Sequence, residues 1–196
     1  MNKEITIDNY LESHFIHRSN WLRAAVLGAN DGIISISSLA IGIAAASTTR
    51  DPIMLATVAG LVAGALSMSA GEYVSVSSQT DIESADIARE AEELKEMPED
   101  ELHILAQIYE RRGLSPETAL QVAKEFTQKD ALAAHVRDEL GINEISHANP
   151  LQAALASGAA FTLGGILPLL VTLFAPVAQM EYFLYGTTIL SLVLLG

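Results

Sequence analysis

No charged side chain occurs in the 33 residues from Ala148 to Met180. As a helix, such a run extends roughly 50 Å, more than the ~30 Å hydrocarbon core of a bilayer. A helix that is apolar on every side needs either a very large protein core or lipid around it. A run of this length therefore predicts a membrane fold and disfavours a soluble helical bundle. A second uncharged run covers Pro52–Gly71, and a third covers Tyr182–Gly196. Between Ala24 and Thr49 a fourth apolar stretch is interrupted by one charge, Asp31. About 20 apolar residues suffice to span, so the last run, 15 residues long, is marginal. It reaches Gly196 without a polar flank, the pattern of a fourth span cut short.

These runs predict an all-α, polytopic membrane protein with a cytoplasmic helical domain inserted between spans two and three. Residues 1–23 form a polar cytoplasmic lead. Glu4, Asp8, Glu12, Arg18 and Arg23 within it leave no apolar core for a signal peptide. A first transmembrane hairpin occupies 24–73, with spans at about 24–47 and 53–73. Gly28/Gly32 and Gly60/Gly64 recur in it at the four-residue spacing that lets helices approach closely in lipid. Residues 74–148 read as an acidic helical domain, and 149–196 as a second hairpin with spans at about 150–174 and 181–196. Two spans return the chain to its starting side, so 1–23 and 74–148 share a compartment. Arg18 and Arg23 beside Trp21 favour the cytoplasm for that side. The membrane would be a bacterial inner membrane, or an endomembrane in a eukaryote.

Within the inserted domain no proline or glycine interrupts Val74–Met97, so the second span should continue beyond the bilayer as one helix. Pro98 starts the next helix, with Glu99, Asp100 and Glu101 in the first turn where acids complement the dipole. That helix should end at Arg111-Arg112-Gly113. Ser115-Pro116 reads as an N-cap followed by proline at the first helical position. A last short helix, Ala131–Leu140, closes at Gly141.

Charge narrows the function. The net charge is −13, and Tyr73–Pro150 holds 17 acidic and 7 basic residues. Such an excess opposes nucleic acid and anionic lipid and suits cations, although a solvated acidic surface has the same composition. The chain has no cysteine, which excludes disulfides and thiolate metal sites. No nucleophile triad, phosphate loop or dinucleotide fingerprint is present, so an enzyme is not expected.

A carboxylate at membrane depth is unfavourable by roughly 2.5–3.5 kcal/mol on insertion scales and normally faces a partner or a pathway. Asp31 lies 7 residues beyond Ala24, and Met68 lies 5 before Tyr73. In antiparallel spans both stand roughly 8–11 Å from the same end. Met68 and Glu72, four apart, share a helix face. Two carboxylates and a thioether at similar depth suit a partly dehydrated divalent metal, with the thioether favouring soft transition metals. Met68 by itself is more readily a packing residue than a ligand, and Glu72 could sit in the headgroup region. Beyond the span, Glu83, Asp86, Glu90 and Glu93 align along one helix face. Glu101, His103, His135 and Glu139 could complete oxygen and nitrogen sites, or the stripe could be a solvated face. Glu144-x-x-His147 resembles half of a di-iron element, but the second copy is missing. His14-x-x-His17 has metal-compatible spacing in a polar tail.

Several longer runs carry a family resemblance. Gly28-Ala29-Asn30-Asp31-Gly32 lies in the first span, and Ser67-Met68-Ser69-Ala70-Gly71-Glu72-Tyr73-Val74-Ser75-Val76 closes the second. Gln79-Thr80-Asp81-Ile82-Glu83 follows on the same helix, and Ala160–Leu170 forms the core of the third span. With these runs the chain resembles the vacuolar iron transporter family from about His17 onward. The resemblance implies a dimeric, proton-coupled exporter of ferrous iron, and in some members manganese, with five spans and a cytoplasmic metal-binding domain. It implies Asp31 and Met68 on the transport path and Glu90, Glu93, Glu101 and Glu139 as metal ligands. Asp31 and Glu72 are the expected proton carriers, because a carboxylate that binds metal must lose its proton. The partners implied are divalent iron or manganese as cargo, protons, the bilayer and a second copy, with no prosthetic group and no nucleic acid. Two departures stand out: Ile104 occupies a position where many relatives carry a further glutamate, and a fifth span is missing. The competing expectation is a membrane-anchored metal buffer or sensor without transport.

Overall fold

The computed structural model describes residues 19–142 and 149–195, and every regular element among them is helical. Six α-helices follow one another: α1 Ser19–Ala46, α2 Arg50–Glu96, α3 Pro98–Arg111, α4 Pro116–Asp138, α5 Pro150–Phe174 and α6 Met180–Leu195. A short 3-10 turn, Val177–Gln179, precedes α6. The chain divides into two compact units, one comprising the described residues up to Tyr73 and from Leu151 on, the other Val74–Pro150. Helix α2 runs through both without a break for 47 residues.

In the first unit four helical segments are long and apolar enough to cross a membrane: Ala25–Ala46, α2, α5 and Val177–Leu195. Their outward faces are apolar. Leu27, Leu55, Leu66, Leu163, Phe174 and Val193 are each more than 60% exposed, an arrangement stable only where the surroundings are also apolar. Inside, small residues bring backbones together. Gly28 and Gly32 of α1 both face α5: a Cβ on Gly32 would overlap the Phe161 carbonyl oxygen and lie 2.9 Å from the Gly165 nitrogen. Phe161 then fills the space left beside Gly64 of α2 and joins Ile36 and Leu61 in a buried cluster. The glycine pairs of the sequence are thus consumed by helix packing within the chain.

Polar groups in this unit are used sparingly. The Thr188 hydroxyl of α6 donates to Ser37 of α1 at 2.7 Å, and Thr57 returns its proton to the Ile53 carbonyl at 2.7 Å. Arg50, at the start of α2, donates to the carbonyls of Thr172 at 2.8 Å and Ala175 at 2.7 Å, and also to that of Leu173. These are carbonyls left without helical partners at the end of α5, and a cation there complements the helix dipole. One side chain therefore ties the first hairpin to the second.

The second unit is held by an alanine-rich seam. Leu105, Ala106 and Tyr109 of α3 pack on Ala119, Ala123 and Ala134 of α4, where small side chains let the helices draw close. The punctuation is local. Pro98 occupies the first turn of α3, and Gly113, at φ +102°, turns the chain after it. The Ser115 hydroxyl accepts the Thr118 N–H at 3.3 Å and caps α4. Helix α4 is interrupted at Asp130 (φ −166°, ψ 97°), whose carboxylate accepts the Ala133 N–H at 3.0 Å and starts the final turns afresh. This break separates the last short helix expected from Ala131 onward, and it aims that helix's side chains independently of Pro116–Lys129.

Candidate metal centre and membrane groove

Three helices of the second unit bring Glu90, Glu101, His135 and Glu139 together, with one potential ligand atom of each lying within 4.8 Å of the others. Glu90 comes from α2, Glu101 from the first turns of α3, and His135 from the last turn of α4, whose C-cap is Glu139. His135 and Glu139 are four apart and share a face. The carboxylates gather around one atom: His135 Nδ1 lies 2.9 Å from Glu90 Oε1, 2.9 Å from Glu139 Oε2 and 3.7 Å from Glu101 Oε2. Glu90, Glu101 and His135 are at most 4% exposed, whereas the Glu139 side chain is 31% exposed and forms the open edge.

The electrostatics of this arrangement are unbalanced. Burial, reinforced by the neighbouring Glu139, holds the Glu90 carboxyl above the usual carboxylate range, with His135 opposing. Burial and then Glu139 raise Glu101 in the same way. Glu90 Oε1 makes no hydrogen bond among the described residues, although buried polar atoms usually do and an unmade bond is unfavourable by roughly 1–3 kcal/mol. A divalent cation would relieve both strains at once. Ligands bound to one ion at about 2.1 Å stand at most about 4.2 Å apart, so the group needs only a small contraction to close on it.

The neighbour of Glu139 anchors the cluster. Asp138 accepts from the Tyr109 hydroxyl at 2.8 Å and from Arg137 at 2.6 Å, pairs with Arg112, and accepts a further Arg112 bond at its carbonyl at 3.0 Å. Arg112 also lies over the Tyr109 ring and Arg137 over Phe126. Burial alone would raise the Asp138 carboxyl, but the bonds from Arg137, Arg112 and Tyr109 outweigh it and bring it down to about 2. Depressed below its unfolded value, this carboxylate contributes stability at pH above about 4 that is lost as pH falls through about 2; the shift corresponds to roughly 2 kcal/mol. Asp138→Asn should therefore lower stability by about that amount at pH 7 and flatten its decline between pH 4 and 2, as followed by denaturant unfolding.

Of the ligands expected from the sequence, Glu90, Glu101 and Glu139 meet in this cluster. Glu93 does not enter it; its carboxylate pairs with Arg89 at 2.9 Å on the same helix. His135, weighed as a candidate, sits at the centre. Glu83 accepts from Gln79 at 2.9 Å, while Asp86, His103 and Ile104 are exposed. The His14/His17 and Glu144/His147 pairs lie outside the described residues.

In the first unit Asp31 and Met68 line one open-sided groove of about 240 Å³, together with Ser35, Ser67, Gly60, Gly64 and Phe161. The depth match between the two spans brings the carboxylate and the thioether to a common space. The Ser35 hydroxyl, one turn beyond, donates to Asp31 Oδ1 at 2.7 Å. Glu72 is half-buried and does not line the groove. Ser35 and Ser67 are polar groups that sequence inspection passes over, although Ser35 stands four residues from Asp31 on the same face.

The molecule is an α-helical membrane protein that carries an acidic cluster able to hold a cation in its second unit and a carboxylate–thioether groove in its first. A family model described as the VIT family matches residues 22–196. The chain is 44% identical over 190 residues to a vacuolar iron transporter of Acanthamoeba castellanii, covering 97% of this chain and 69% of that protein. It is 39% identical over 155 residues to vacuolar iron transporter homolog 2 of Oryza sativa subsp. japonica, covering 79% and 60%. With vacuolar iron transporter 1 of Eucalyptus grandis it shares 30% identity over 175 residues, covering 88% and 70%. The chain belongs to the VIT family, and it spans about 60–70% of the length of these relatives.

Proposed function

We propose that this protein moves divalent iron, and manganese as an alternative cargo, out of the cytosol in exchange for protons. The observation that carries the reading is the groove in which Asp31 and Met68 face one space inside apolar helices. A carboxylate there is unfavourable in lipid unless a cation or a proton meets it, and a thioether selects for transition metals over magnesium or calcium. The relatives' names, which specify iron, support the same cargo.

In this reading Glu90, Glu101, Glu139 and His135 collect the ion, with Glu93 as a further carboxylate close by, and Asp31 and Met68 pass it through the membrane. Protonation of Asp31 and Glu72 on release would return the protons. The working form is a homodimer with 1–23 and 74–148 in the cytoplasm, in a bacterial inner membrane or, in a eukaryote, an endomembrane. Iron and manganese are cargo, and no prosthetic group is needed.

A second reading has one observation in its favour: the four-residue cluster is complete within the acidic unit, so a membrane-anchored buffer would need nothing from the spans. Flux separates the two. In liposomes with an acidic lumen, the protein should drive uptake of iron and manganese with matching loss of luminal protons. Binding of metal without flux would establish the buffer instead.

A further inference from the structure

We propose that His135 decides which cation the acidic cluster prefers, tilting it from manganese towards borderline ions such as iron(II) and zinc. The inference rests on the cluster being the metal-collecting site and deepens that reading. Three carboxylates alone form a hard oxygen set, suited to magnesium, calcium and manganese. One imidazole nitrogen changes the ranking, because affinity at nitrogen rises steeply along the divalent series from manganese towards copper, with zinc well above manganese.

The geometry makes that nitrogen unavoidable. His135 is fully buried, on the final turn of α4 beside the buried Ala134, so the ring is packed into the cluster rather than held at its open edge. Its Nδ1 is the atom on which the carboxylates converge, with Glu90 and Glu139 oxygens each at 2.9 Å. Nδ1 carries at most one hydrogen, so it can satisfy one of these oxygens, and Glu90 Oε1 is left without a hydrogen bond among the described residues. That orphaned oxygen is a second observation, separate from the clustering of acids, that points to a cation between Glu90 and the ring.

Ligation through Nδ1 moves the ring proton to Nε2, which is buried and has no hydrogen-bond partner among the described residues. This penalty is the same for every divalent ion. It lowers affinity overall and leaves the ranking to the metal–nitrogen bond.

The test compares zinc and manganese binding to the purified full chain in detergent, in wild type and in His135→Asn, which puts an amide near the position of Nδ1. Zinc affinity should fall about tenfold or more while manganese affinity falls less than about threefold. An equal loss for both ions would overturn the inference and leave His135 a structural hydrogen-bonding residue. Failure of the wild type to bind any divalent ion would overturn the metal reading of the cluster itself, a distinguishable result. Should His135→Asn not fold, pulsed electron paramagnetic resonance of manganese bound to the wild type supplies the answer. Imidazole nitrogen coupling is expected, and its absence would overturn the proposal.

Discussion

Gly32→Ala is expected to lower the melting temperature of the detergent-solubilised protein sharply, and Gly32→Leu to prevent its isolation as a folded species. The reason is which atoms an added Cβ would meet. At Gly32 they are the carbonyl oxygen of Phe161 and the backbone nitrogen of Gly165, and reciprocally a Cβ on Gly164 would overlap the Ala29 carbonyl. Neither neighbour is the end of a flexible side chain, so no rotamer change relieves the clash and α1 must move away from α5. Overpacking of this kind costs about 1–3 kcal/mol for one methyl group and more for a branched side chain. Displacing α5 would also disturb Phe161, which is buried against Ile36 and Leu61 and lines the groove with Asp31. Gly42→Ala and Gly71→Ala provide the contrast, since a Cβ at either position meets nothing within 4 Å among the described residues. Both should be neutral or slightly stabilising, because alanine is favoured over glycine in a helix by up to about 1 kcal/mol. Equal melting temperatures for Gly32→Ala and Gly42→Ala would show that the α1–α5 contact is looser than the structure has it.

How much of this could be read from the sequence depends on whether the physical signal is local. The spans follow from uncharged length, and the continuity of α2 follows from the absence of proline and glycine between Val74 and Met97. The caps at Ser115 and Gly113 follow from single residues. Asp31 and Met68 share a groove because two antiparallel helices joined by a short turn fix depth, which is arithmetic on residue number. Phe161, the third wall of that groove, comes from more than 90 residues further on, and although it lies in the run Ala160–Leu170, nothing there places it beside Asp31 and Met68. The acidic stripe shows the same limit. Glu90 and Glu93 are separated by about 60° around the helix, too little for periodicity to say which carboxylate turns inward. Packing of α3 and α4 decides it: Glu90 becomes buried and Glu93 is left to pair with Arg89. His135 carried a usable signal, its four-residue spacing to Glu139, but a lone histidine in a helix is ambiguous until its burial is known.

Asp31→Ala should reduce metal flux by about 100-fold or more while leaving the protein at least as stable as before. The two effects have opposite signs for one physical cause. Asp31 is the single charge between Ala24 and Thr49, and its one hydrogen bond among the described residues comes from Ser35 on the next turn. Holding a carboxylate there is unfavourable by roughly 2.5–3.5 kcal/mol, so its removal relieves the folded state in the membrane. For a cation in the groove the same change removes the only formal negative charge among the lining residues. Loss of one partner from a poorly solvated ion pair costs about 3–5 kcal/mol, which corresponds to two to three orders of magnitude or more in rate or affinity, roughly tenfold per 1.4 kcal/mol. Met68→Leu keeps the volume and removes only the thioether; its effect should be smaller and greater for iron than for manganese. Ser35→Ala, which removes a donor to Asp31 but no charge, should change flux only severalfold. Initial uptake rates in liposomes give the first quantity and melting in detergent the second. Metal binding at Glu90, Glu101, His135 and Glu139 should be unchanged in all three variants, which separates a broken pathway from a lost collecting site. If Asp31→Ala destabilised the protein and left flux intact, the carboxylate would be a structural group and the path would have to lie elsewhere. If it stabilises the protein and stops flux, the charge is held in an unfavourable solvent because transport requires it there.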